Sequence, residues 1–99
     1  MRLSSADRAN IVQLTSEVAG EHAAVRLFGS RVHDELRGGD IDLLVSLPEP
    51  VAQPAVLASR LAARIERALG GRKVDVVLQA PNLLEQPIHR AAMAEGLLL

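Results

Sequence analysis

The chain has 99 residues, 48% of them apolar, with eleven basic and twelve acidic side chains and a formal net charge of −1. That length suffices for one small domain with a two-layer core, here residues 1–99, and leaves no room for a second lobe. A single aromatic residue (Phe28), no cysteine and balanced charge exclude a disulfide framework, a thiolate zinc site, a base-stacking platform and a basic footprint for nucleic acid.

The N-terminal segment Met1–Arg8 is polar, without the apolar core of a signal peptide, and no uncharged run approaches a membrane span. A cytoplasmic protein is expected, with neither membrane nor nucleic acid as partner. A first helix opens at Ser4 or Ser5: Ser4 and Asp7 form a weak capping box, and Ile11, Leu14, Thr15 and Val18 line one face before Gly20 stops it. Ala23 to Phe28 then reads as a strand ending at Gly29-Ser30. Residues 31–37 are rich in charge and suit a short helix, broken by Gly38-Gly39.

Asp40 to Ser46 is the second strand, and its apolar second half implies burial on both faces. Pro48, Pro50 and Pro54 mark an extended linker, Pro54 fitting the first turn of the next helix. That helix carries Val56 or Leu57, then Leu61, Ile65 and Leu69 on one face, has Arg60, Arg64 and Arg67 as its solvated face, and ends at Gly70-Gly71. Lys73 to Leu78 is a third strand with the pattern of a buried central one. Pro87 opens a last helix through Glu95, and Gly96 releases the apolar tail Leu97–Leu99. The segment from Asp40 to Leu78 is long enough for a right-handed parallel crossover, whereas the short link between the first two strands favours an antiparallel pair. The expected fold is α/β (α+β): a small mixed sheet flanked by helices.

Asp40 and Asp42 alternate onto one strand face with Cα atoms roughly 6–7 Å apart. Like charges so close repel, and a divalent cation gives them a common partner. Oxygen donors with no nearby His or Cys pair point to Mg²⁺ or Mn²⁺. Alone, such a pair also suits a solvated strand start after a Gly-Gly turn. Asp75 is the third carboxylate: a charge within an apolar strand needs a partner, either the Asp40/Asp42 site next door or a salt bridge to Arg72, Lys73 or Arg26. Three carboxylates at one sheet end can hold two metal ions about 3.5–4 Å apart, the arrangement used in phosphoryl transfer. Gly29-Ser30, a strand end followed by helix, offers backbone N–H groups and a hydroxyl to phosphate. His22 and His89 lie among polar neighbours and are expected on the surface. His33 lies near the phosphate turn, without a second imidazole or thiol at ligand spacing.

Leu27-Phe28-Gly29-Ser30-Arg31, nine residues between Ser30 and Asp40, then Asp40-Ile41-Asp42-Leu43-Leu44-Val45, resembles the signature of minimal nucleotidyltransferases of the DNA polymerase beta superfamily. The resemblance implies the polymerase beta-like fold and an ATP- and Mg²⁺- or Mn²⁺-dependent transferase. It implies that Gly29, Ser30 and a neighbouring arginine, Arg31 or Arg37, hold the triphosphate. Asp40 and Asp42 would bind the metals, and Asp75 would complete the catalytic and metal-binding set. Stand-alone relatives are often antitoxins beside a helical HEPN ribonuclease toxin, so the resemblance implies AMP transfer to a tyrosine of such a partner. Two alternatives stand beside it: a non-catalytic module that neutralises its partner by binding, with Leu97–Leu99 as contact surface, and a subunit modifying a small molecule.

Overall fold

The structure, a computed structural model, describes residues 3–29 and 40–99. Seven elements follow in order: α1 (Ser5–Ala19), β1 (Ala24–Phe28), β2 (Ile41–Ser46), α2 (Pro54–Ala68), β3 (Val74–Gln79), α3 (Pro87–Glu95) and β4 (Leu97–Leu98). The short helix expected over residues 31–37 lies outside the described residues, as do Ser30, Arg31, His33, Arg37 and the Gly38-Gly39 break.

Helix starts follow local chemistry. Ser4 accepts a hydrogen bond from the Asp7 backbone N–H at 3.0 Å and so caps α1. Pro54 and Pro87 stand in the first turns of α2 and α3, where a missing N–H leaves no helical bond unmade. The sheet order is β3-β2-β1-β4. β1 and β2 pair antiparallel, with Leu27 opposite Leu43 and Phe28 opposite Asp42. β2 and β3 pair parallel through the α2 crossover, with Ile41 beside Val74 and Asp42 beside Asp75. The mixed α+β sheet read from the sequence is the one observed.

Strand alternation sorts the residues into two faces. Val25, Leu27, Ile41, Leu43, Val45, Val74 and Leu78 join Ile11 of α1 and Leu61 and Ile65 of α2 in the main core. Ile11, Leu27, Ile41, Leu43, Leu61 and Ile65 are all fully buried, each contributing roughly 1.5–3 kcal/mol of apolar burial. Arg60, Arg64 and Arg67 are exposed, as expected of the solvated face of α2, and Arg64 reaches Glu17 of α1 at 3.1 Å. The other sheet face carries Phe28, Asp42, Leu44 and Asp75; α3 covers part of it, burying Leu44 and Ala92.

Three expectations are corrected. β3 is an edge strand rather than a central one, and Asp75 is exposed rather than buried. One side of β3 pairs with β2, and among the described residues no strand pairs with its other side. The tail after Gly96 forms β4, antiparallel to β1, with Arg26 opposite Leu98 and Leu27 opposite Leu97. Arg8 donates to the Leu98 carbonyl at 3.3 Å, occupying part of that outer edge. His89 is buried rather than on the surface. Its Nδ1 accepts from the Gln86 backbone N–H and its Nε2 bonds the Leu78 carbonyl, both at 2.9 Å, which ties α3 to β3. His22 is exposed as expected. No helix among the described residues is long and apolar enough to cross a membrane.

Candidate active site

The carboxylates meet at one end of the sheet because of topology. A parallel crossover starts β2 and β3 at the same end, and the register sets Asp42 directly beside Asp75. β1 runs the opposite way, so its last residue, Phe28, and Gly29 just after it arrive at that end too. Asp40 stands exposed at the entrance to β2. The sheet thus brings Gly29, Asp40, Asp42 and Asp75 together, on the face opposite the two long helices. Ser30 and Arg31 lie outside the described residues.

Gly29 and Asp42 are matched sterically. Gly29 has a φ of +79°, in the region that disfavours side chains, and a Cβ placed there would overlap the Asp42 carboxylate. The absence of a side chain lets the end of β1 close over Asp42. This contact gives Gly29 a task at the carboxylate.

Charge is crowded at Asp42. Its carboxyl is held above the ordinary value of 3.8, chiefly by burial, then by the negative charges of Asp75 and Asp40, with Lys73 partly offsetting them. Lys73 Nζ lies 3.9 Å from Asp40 Oδ2. Arg72 is engaged elsewhere, bonding Asp7 and the Leu69 carbonyl, and among the described residues no cation is ion-paired with Asp75. The salt-bridge alternative for Asp75 therefore finds no partner in Arg72, Lys73 or Arg26. Sequence reading placed Lys73 only as a possible mate for Asp75. The signal for its neighbourhood was present, since Lys73 and Asp75 alternate onto one face just as Asp40 and Asp42 do.

The donor set is all oxygen, hard and unrelieved at Asp42, which suits Mg²⁺ or Mn²⁺. The side chains do not themselves converge: among the described residues no three carboxylate or imidazole groups form a set close enough to hold a metal ion. Asp40 lies toward Lys73 instead. Among the described residues the site is an acidic sheet end with Gly29 set against Asp42.

Comparison with known proteins follows this geometry. A search of curated proteins finds no matching relative. Among solved structures, the fold is similar to a chain in the crystal structure of a mutant of the toxin–antitoxin pair MntA-HpeT, with a TM-score of 0.67 and 21% identity, covering 93% of this chain and 69% of that one. The family model described as the nucleotidyltransferase domain matches residues 10–98, from the middle of α1 to β4, and so spans the whole carboxylate-bearing sheet. The chain belongs to the nucleotidyltransferase domain family.

Proposed function

We propose that the chain is a Mg²⁺-dependent nucleotidyltransferase antitoxin that transfers AMP from ATP to a tyrosine hydroxyl of a HEPN-type toxin partner. The observation that carries the reading is the register pairing of Asp42 with Asp75, with Gly29 set against the Asp42 carboxylate. The toxin–antitoxin neighbour supports the choice of a protein acceptor.

In this reading Asp40 and Asp42 hold the metal, joined by Asp75, while Gly29, Ser30 and Arg31 bind the triphosphate. A divalent cation held by these carboxylates would supply neutralisation of the triphosphate and a lowered pKa for the attacking hydroxyl. Asp75, exposed at the strand edge, accepts the proton of the acceptor hydroxyl. The acceptor oxygen bonds to the α-phosphorus, the bond from that phosphorus to the bridging oxygen of pyrophosphate breaks, and pyrophosphate leaves with the electron pair. Gly29 keeps the wall close to Asp42, so that the phosphate chain and the carboxylates share one small volume.

The test is incubation with ATP labelled at the α-phosphate, Mg²⁺ and the toxin partner. Label on the toxin, lost in Asp42→Asn with the fold retained, is expected. A second reading, neutralisation by binding alone, draws on exposed Leu84, Ile88, Met93 and Leu98. An Asp40→Asn/Asp42→Asn variant that still neutralises the toxin would favour it, and label passing to a small hydroxylated acceptor but not to protein would favour a small-molecule transferase.

A further inference from the structure

The chain contains a single lysine, and it stands at the carboxylates. Its backbone is fixed there: the Ile41 N–H donates to the Lys73 carbonyl at 3.0 Å, placing Lys73 beside the link between the two aspartates of β2. The preceding residue is anchored too, with Arg72 Nε bonded to the Leu69 carbonyl and its guanidinium ion-paired with Asp7. Among the described residues the side chain is held by no hydrogen bond and pairs only loosely with Asp40. It is 66% exposed, and its ammonium stops 3.9 Å short of Asp40, outside hydrogen-bond range. A fixed base with a long mobile stem and a point charge is the form of a tethered ion.

We propose that Lys73 is the counter-ion of the metal-free carboxylate cluster, occupying the electrostatic place of the divalent cation beside Asp40 and turning to the nucleotide's phosphates once that cation is bound. The proposal rests on the metal- and nucleotide-binding reading above and adds a substrate-binding residue to it. Two charges compete for one set of carboxylates. The tethered one loses to a divalent ion and is then left next to the triphosphate that arrives with it. The consequence is a pair of opposite effects. Removing the lysine charge makes the cluster more attractive to the metal alone and less attractive to the metal with nucleotide.

The experiment uses the full chain at low ionic strength and compares wild type with Lys73→Met and Lys73→Arg. Thermal stability is titrated first with Mn²⁺ alone, then with ATP at saturating Mn²⁺. Lys73→Met should lower the half-saturating Mn²⁺ concentration by about three- to tenfold, the scale set by a unit charge several ångströms from a divalent ion in screened water. The same variant should raise half-saturating ATP, and Lys73→Arg should stay near wild type in both. Shifts in the same direction, or none while wild type responds, overturn the role of Lys73 alone. A wild type indifferent to Mn²⁺ overturns the metal reading of the site, and this proposal with it.

Discussion

Replacing Gly29 with alanine separates two effects that usually travel together, because a second glycine supplies the control. Gly29 and Gly70 share nearly the same φ, +79° and +76°. Each substitution therefore carries a left-handed penalty of roughly 1–2 kcal/mol, or a melting-temperature loss of about 4–8 °C per kcal/mol in a domain this small. The surroundings differ. A Cβ at Gly70 meets nothing within 4 Å, whereas at Gly29 it overlaps Asp42 Oδ2. The carboxylate is the free end of a short side chain, so it swings away and the strands stay in place, adding about 0.5–1.5 kcal/mol for a displaced rotamer. Urea unfolding should then show Gly29→Ala losing about 1.5–3.5 kcal/mol in all against about 1–2 kcal/mol for Gly70→Ala.

The ligand readout is the sharper one. Gly70→Ala should keep the full stabilisation by Mn²⁺, and Gly29→Ala should lose most of it because Asp42 no longer faces Asp75. Adding Asp42→Ala to Gly29→Ala should recover the excess penalty, leaving the backbone part. If both glycine variants lose equal stability and retain equal Mn²⁺ response, the fit of Gly29 against Asp42 has no role and the reasoning fails.

Three further outcomes are expected. Asp42→Asn should stabilise the metal-free protein above the carboxyl's raised value. The folded state holds that proton more tightly than the unfolded chain, so wild-type stability from this group is complete below about pH 4 and lost as pH rises through the raised value. Urea midpoints across that window, without divalent ions, should fall for wild type relative to Asp42→Asn. His89→Ala should cost about 2–4 kcal/mol in urea unfolding, since it orphans the Leu78 carbonyl and the Gln86 N–H inside the fold; a loss below 1 kcal/mol would refute the clasp. Gly96→Ala places a Cβ against the Ala92 and Leu27 carbonyls, backbone atoms that cannot step aside. Amide exchange at Leu99, whose N–H donates to the Val25 carbonyl, should accelerate strongly, and unchanged protection would show that β4 tolerates the intrusion.

Much of this fold is written in local chemistry. Pro54, Pro87, Gly70 and Gly96 bracket helices by backbone rules alone, and the apolar spacing of α2 fixes the face it buries. The misreadings share one cause: they concern neighbours distant in sequence. Val74 to Leu78 has the composition of a central strand, but composition does not say whether a further strand pairs outside it. Leu97 and Leu98 carry no turn or alternation signal, and they become a strand only because β1 has an edge to offer. Gln86-Pro87-Ile88-His89-Arg90 is polar around His89, yet the third position of α3 turns that ring inward to a carbonyl of β3.

The edge position of β3 has a consequence for the division of work among the carboxylates. Asp42 is flanked by strands on both sides and by Gly29 above, so burial dominates its electrostatics. Asp75 has the same register and the same face but one open side, and it is exposed. Two carboxylates that were equivalent in sequence pattern are therefore unequal in solvent access. A half-buried carboxylate under crowding gains most from a cation, because desolvation strengthens every attraction it can make. An exposed one at a sheet edge can meet a hydroxyl presented by another macromolecule, which a central strand beneath a neighbour could not. The arrangement suits the proposed transfer to an acceptor hydroxyl on a second chain, and it places that hydroxyl's approach at the edge strand.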